Sequence, residues 1–193
     1  MKSSLLWLGF LFSLPLNAQT VQYQLDAGHT YIGFDVERFL VGEVSGRFNK
    51  FSAVISMQAD DLSSSQAEVV IQASSLDSNN DIRDGHLRGE LWLDTATHPE
   101  IHFKSTAIDT TENGELMMSG DFTIKGVTQM VRFPVEILGP FTDPTQHVAL
   151  GFKADFSINR FDYGIAFDRQ MEEGVPFIGE EVKIKIRALA YQI

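Results

Sequence analysis

The stretch Asp81-Ile82-Arg83-Asp84-Gly85-His86-Leu87-Arg88 crowds four charged residues and a histidine into eight positions. A carboxylate beside a guanidinium has a tuned proton affinity, and His with Asp can ligate a metal. Asp26, His29, Asn159 and Arg160 add to this inventory. Together with Arg83, Asp84 and His86 they could form an acid–base or metal constellation. The same groups could instead be fastenings, with Arg83 or Arg160 pairing Asp26 or Asp84 to tie a helix to turns at one end of a sheet. Metal signatures have tighter spacing than this. His98 and His102 are four apart, but Pro99 lies between them and the segment reads as strand, so the helical H-E-x-x-H arrangement is missing. The structural reading is preferred, and neither a catalytic residue nor a metal site is expected.

The elements that must hold these groups are strands. Ile32, Phe34 and Val36 alternate with Gly33, Asp35 and Glu37, a period of two with one dry face. Alternation returns at Phe51–Met57, Val69–Ala73, Ile101–Ala107, Leu116–Ile124, Val131–Ile137, Val148–Ile158 and Val182–Ala190. Glu112-Asn113-Gly114 and Lys125-Gly126 are turns, and Pro140 to Thr145 reads as a loop. The rhythm breaks between Ser74 and Leu93. Asp77 to Asn80 are good N-cap residues, and Leu87, Leu91 and Trp92 suit one helical stripe, which places a helical excursion over about 80–93. His98-Pro99 ends it. Sequential hairpins with one dry face predict an all-β fold, an up-and-down barrel or a sandwich. Closure of the sheet removes its edges.

The chain has 193 residues, no cysteine and a net charge of −11. That charge argues against nucleic acid and anionic lipid head groups as partners. The missing thiols exclude disulfides, thiolate metal sites and a cysteine-linked lipid anchor. Lys2, the apolar run Leu5–Leu14, Pro15 and Ala18 read as a secretory signal peptide over 1–18, cut after Ala18. The expected mature domain is 19–193. Loss of Lys2 takes its charge to −12.

The dry faces supply a second set of candidates: Phe34, Val36, Ile55, Met57, Ile71, Phe103, Met118, Phe122, Phe133, Val135, Leu150, Phe152, Phe156 and Ile184. They carry no charge. Such a lining could be a filled core or a slot, and pattern alone leaves both open, because barrels of about eight strands occur in both forms. A slot of this kind would take a ligand that is long or flat, apolar and poor in hydrogen-bonding groups.

Six stretches, in order, are similar to signatures of the YceI family of exported, lipocalin-like polyisoprenoid-binding proteins. They are Tyr23–Thr30 (YQLDAGHT), Arg83–Arg88 (RDGHLR), His98–Phe103 (HPEIHF), Gly120–Thr128 (GDFTIKGVT), Asn159–Gly164 (NRFDYG) and Gly179–Ile184 (GEEVKI). The resemblance spans nearly all of the mature chain. It implies an antiparallel eight-stranded barrel with an associated helix, and an apolar cavity for the chain of a polyprenyl lipid or isoprenoid quinone. It also implies a carrier, not an enzyme, working in the periplasm or, as second choice, outside the cell, without a cofactor other than that lipid; the rival classes are a ligand-free structural or stress-related interaction protein and an enzyme using the His/Asp/Arg group on an apolar substrate. On this reading the Asn80–Leu93 segment lids the cavity through Leu87 and Leu91, and release involves transient contact with a membrane or membrane protein. The sequence leaves the oligomeric state open, a dimer included.

Overall fold

A computed structural model describes residues 20–58 and 60–193. The proposed leader, 1–18, lies outside the described residues. The segments are β1 (Thr20–Leu25), β2 (Tyr31–Arg38), β3 (Gly42–Phe48), β4 (Phe51–Gln58), β5 (Gln66–Gln72), β6 (Leu76–Asp77), α1 (Asp81–Arg88), β7 (Glu100–Thr110), β8 (Leu116–Ile124), β9 (Val127–Pro134), β10 (Glu136–Thr142), β11 (Val148–Asn159) and β12 (Ile178–Gln192). All ladders are antiparallel.

Four pairs of segments run on into one another: β1 into β2, β3 into β4, β5 into β6, and β9 into β10. Each pair is one bent strand, so the segments reduce to eight strands in meander order. β12 is the seam. One edge pairs with β11 from Asn159↔Glu181 to Ala149↔Tyr191. The other pairs first with β2 and then with β1. The ring closes where β9, paired with β8, continues through Val135 into β10, paired with β11. No ladder pair joins β9 directly to the last residues of β11, beyond Lys153.

The alternating faces are placed as the sequence predicts, with three departures. Ile108, not Ala107, is the buried residue at the end of β7, because a bulge between Ser105 and Ala107 shifts the register. β10 extends to Thr142, so Pro140 and Phe141 belong to a strand with an irregularity after Leu138, not to a loop. The helix stops at Arg88, because Gly89 leaves the helical region and hydrogen-bonded turns follow to His98. The two-residue turn Lys125-Gly126 has positive φ at both positions (51° and 74°), the geometry that matches strand twist in a tight hairpin.

Ring size inside the barrel is accommodated by missing side chains. Gly46 lies opposite Phe34, and a Cβ there would sit 2.4 Å from Phe34 Cζ. A Cβ on Gly120 would sit 2.6 Å from the Phe103 ring and 2.5 Å from the Lys104 carbonyl oxygen. On the outer face Tyr31 lies over Gly33 in the same manner. Beside it Asp35 is buried at 4% exposure, accepts from Ser45 Oγ at 2.5 Å and pairs with Lys185 Nζ at 2.5 Å. Burial opposes its ionisation, but the Lys185 and Ser45 bonds outweigh burial and hold the carboxyl below its ordinary value.

Two outcomes follow from these contacts. Gly120→Ala is expected to destabilise the fold by about 1–3 kcal/mol through overpacking, read as a lower urea midpoint at unchanged slope. A carboxyl with a depressed folded pKa stabilises above its unfolded value, near 3.8, and loses that contribution as pH falls through the folded value. Asp35→Asn is therefore expected to lower the thermal midpoint at neutral pH and to flatten its decline below pH 3.8. An unchanged acid limb would show that the Asp35 pair contributes nothing.

Candidate ligand-binding site

The charged residues singled out from the sequence do not converge. They form three separate fastenings. At the β1–β2 bend, Asp26 caps a single turn, Ala27–His29, accepting from Gly28 N at 2.8 Å and from His29 Nδ1 at 2.7 Å. The His29 bond and then the Gly28 N–H hold the Asp26 carboxyl below its ordinary value. This turn lies on the barrel wall against Leu189, with Asp26 N donating to the Leu189 carbonyl. It marks the bend between β1, paired with β4, and β2, paired with β3, two segments of the same neighbouring strand.

The second fastening is at α1. Asn80 Oδ1 caps the helix by accepting from Arg83 N at 3.0 Å. Asp84, 4% exposed, accepts from Ser78 N at 2.9 Å and from Ser78 Oγ. Arg83 Nε donates to Ser78 Oγ at 2.7 Å and Arg83 Nη2 to the Ser78 carbonyl at 2.5 Å. Arg88 donates to the carbonyls of Ser74 and Leu76. The expected pairing of Arg83 with Asp26 or Asp84 is therefore replaced by a shared hub, Ser78. A buried hydroxyl can donate to the carboxylate and accept from the guanidinium at once. The sequence offers Ser78 only as one of several polar residues before a helix. His86 is exposed on the helix surface.

The third is Arg160. Asn159 caps the turn Arg160–Tyr163 through Phe161 N at 2.9 Å, and Gly164 ends it in the left-handed region. Arg160 is 3% exposed and donates to the carbonyls of Gly179 (2.8 Å), Ile165 (2.7 Å) and Ile178 (3.3 Å). Its guanidinium lies 4.1 Å from the Phe161 ring centroid. Here too the expected ion pair with Asp26 or Asp84 is not formed. The Ile165 carbonyl and two at the start of β12 match the guanidinium fork instead. Burial lowers the Arg160 pKa, opposed by Asp168 and Glu180. Among the described residues, no three His, Asp or Glu side chains are grouped to hold a metal ion.

Between these fastenings lies a cavity of about 220 Å³ with no polar surface exposed to it. Phe34, Val36, Ile55, Met57, Ile71, Phe103, Met118, Phe122, Phe133, Val135, Phe152, Phe156 and Ile184 line it, as the alternation predicts. Leu150 does not. It is buried and packs with Tyr23, Ile55, Met57 and Ala190 in a neighbouring hydrophobic cluster. Phe133 and Phe156 stack at 4.2 Å between centroids and fill part of the interior. The pattern thus yields both outcomes that it left open, a partly filled barrel with an apolar slot.

At the helix end Leu87, Trp92, Leu93, Ile165 and Ile178 join the lining. Leu91 does not, being 68% exposed. The helix ends before it, so Leu91 and Leu87 share no stripe. Trp92 stacks on Phe167 (4.9 Å), Phe167 meets Phe177 (6.2 Å), and Phe177 meets Phe39 edge-on (4.6 Å). Arg38 lies 5.0 Å and Arg169 5.3 Å from the Phe177 centroid. This aromatic strap joins the β2–β3 loop, the loop before β12 and the segment after α1. Sequence periodicity missed it because all four rings lie outside alternating strands.

The ring, its seam strand and its apolar interior define a small closed barrel built around an enclosed hydrophobic slot. Residues 23–190 match the YceI-like domain, and the chain belongs to that family. It is 34% identical over 169 residues to a UPF0312 protein of Vibrio parahaemolyticus, covering 86% of this chain and 89% of that one. It is 33% identical over 168 residues to a UPF0312 protein of Staphylococcus epidermidis, covering 86% and 95%. Among solved structures the fold is similar to Burkholderia cenocepacia BcnA, with TM-score 0.74, 21% identity, and coverage of 86% of this chain and 98% of that one. It is also similar to a polyisoprenoid-binding domain from Saccharophagus degradans, with TM-score 0.63, 16% identity, and coverage of 89% and 98%.

Arg160→Met should keep the stem's packing and leave three carbonyls without their donor. The expected cost is about 2–4 kcal/mol, since bonds to charged donors contribute more than neutral ones. Hydrogen exchange is expected to rise first at the Ile165 and Ile178–Gly179 amides. Uniform protection at wild-type levels would show that Arg160 fastens nothing.

Proposed function

We propose that this protein is a binding protein, not an enzyme, that holds the isoprenoid chain of a lipid inside the barrel and carries it through an aqueous compartment. The periplasm is the proposed location, by virtue of the leader read at 1–18. The observation that carries the proposal is the cavity wall. It exposes no polar surface, so a bound group must itself be free of hydrogen-bonding atoms. Membership of the YceI-like family and the fold shared with a polyisoprenoid-binding domain support it.

Each methylene taken from water contributes about 0.8 kcal/mol, so a few isoprene units suffice for tight binding. The cavity of about 220 Å³ is smaller than the roughly 300–1,000 Å³ of pockets that enclose drug-sized ligands. A longer chain enters by displacing side chains. Met57 and Met118 on the wall are suited to that, being unbranched and adaptable. The strap and Leu87 at the helix end are the proposed lid.

Native mass spectrometry of the protein purified from its own host is the direct test. A bound mass removed by organic solvent is the expected result, and a bare chain would sink the carrier reading. Leu87→Asp should reduce lipid loading, while Leu91→Asp, on the exposed surface, should leave it unchanged. Phe133→Ala should lower stability by about 3–5 kcal/mol and lengthen the longest prenyl chain retained.

A further inference from the structure

We propose that two loop tips at the helix end of the barrel, Phe39–Val41 and Arg169–Phe177, insert into the surface of an uncharged lipid bilayer and set the mouth of the slot against it. The inference rests on the carrier reading above and adds the surface at which the carried lipid is exchanged.

The first tip joins β2 to β3, and its outward residues are apolar, with Leu40 54% and Val41 91% exposed. Phe39 and Leu40 have φ of 55° and 61°, in the left-handed region that glycine or asparagine enters at least cost. A large apolar residue at Leu40 is thus unfavourable twice, to the backbone and to the water around it. Lipid around the tip removes the second cost. The other tip folds back on itself, Phe177 N donating to the Arg169 carbonyl at 2.9 Å and Met171 N to the Val175 carbonyl at 2.8 Å. It presents Met171, 49% exposed.

Both tips stand on one base, the edge-on contact of Phe39 with Phe177. Arg38 and Arg169 lie over the Phe177 ring, at the roots of the two tips. An arginine so placed keeps its stem along apolar surface and its head among lipid polar groups. Ile178, paired with Arg38 across the β2–β12 ladder, lines the cavity, so only the strap separates the tips from the slot. Two narrow tips on separate loops suit a fluid surface, which admits them without shape complementarity. Charge decides which surface. Glu37, Glu43, Asp168 and Glu172 lie within three residues of Leu40, Val41 or Met171, and the chain is acidic as a whole. Anionic head groups are repelled, and zwitterionic ones are not.

The test uses vesicles of phosphatidylcholine, with and without phosphatidylglycerol. Because the chain has no cysteine, Val41→Cys takes a single environment-sensitive fluorophore. Its emission is expected to shift to the blue on phosphatidylcholine vesicles, while the same label at Val54→Cys, exposed on β4 of the barrel wall, stays unchanged. Val41→Asp should weaken vesicle binding about tenfold, the worth of one buried aliphatic side chain. Leu40→Gly should weaken it similarly while the thermal midpoint stays level or rises, because glycine relieves the left-handed backbone. Phosphatidylglycerol should weaken binding further. Tighter binding to the anionic vesicles, equal shifts at both labels, or binding to native membranes but not to pure lipid overturns the insertion. A protein that arrives loaded with lipid yet ignores vesicles loses the tips alone. One that inserts its tips but never carries lipid loses the carrier reading and keeps the tips.

Discussion

Unpaired backbone groups along an apolar wall are costly, and the sheet pairs most of its length by returning to its own first strand, leaving β9 and the last residues of β11 without a ladder between them. β12 makes this return. It pairs with β11 along one edge and with β2 and then β1 along the other, so the last strand meets the first described strand and closes a ring. The bends at Asp26–His29, Asn49–Lys50 and Ala73–Ser75 lie alongside one another, so three neighbouring strands turn together and keep one another as partners. The bend at Val135 completes the circle on the opposite side.

The polar motifs serve the same end. Each sits where the wall bends or a connection crosses an opening, and each satisfies backbone groups that the ladders leave over. Asp26 meets an amide of its own turn, and Arg88 and Arg160 meet carbonyls. Concentrated charge in this chain is therefore a response to backbone geometry. That is why it lies around the slot and not within it.

Alternation was legible because the side-chain period of a strand leaves a direct trace in the residue order. Its dry-face positions coincide with the strand-borne part of the cavity wall, which Leu87, Trp92, Arg160 and Ile165 complete from outside the strands. It erred by one residue beyond the Ser105–Ala107 bulge, where the period itself slips, and it kept Leu150 in the wall because period two gives the face but not the depth along the barrel. The helix was legible from its cap, but its length was not. Gly89 ends it, and Trp92 reaches the interior through turns that no periodicity describes. Long-range partners were the least legible. Ser78 as a common hub, and the Gly179, Ile165 and Ile178 carbonyls as the seat of Arg160, depend on which loops meet in space.

The glycines facing Phe34 and Phe103 have a consequence for how such a barrel can diversify. Of the two, the Gly46–Phe34 pair holds interior volume as an exchangeable ring and vacancy on neighbouring strands, whereas at Gly120 the Lys104 carbonyl oxygen also stands in the way. Swapping the members of the first pair would relocate a hollow while leaving total volume, strand register and the outer surface as they are. A lineage could in this way retune the length and shape of what it encloses by a handful of conservative interior changes. Its fastenings, on which the ring depends, would be untouched.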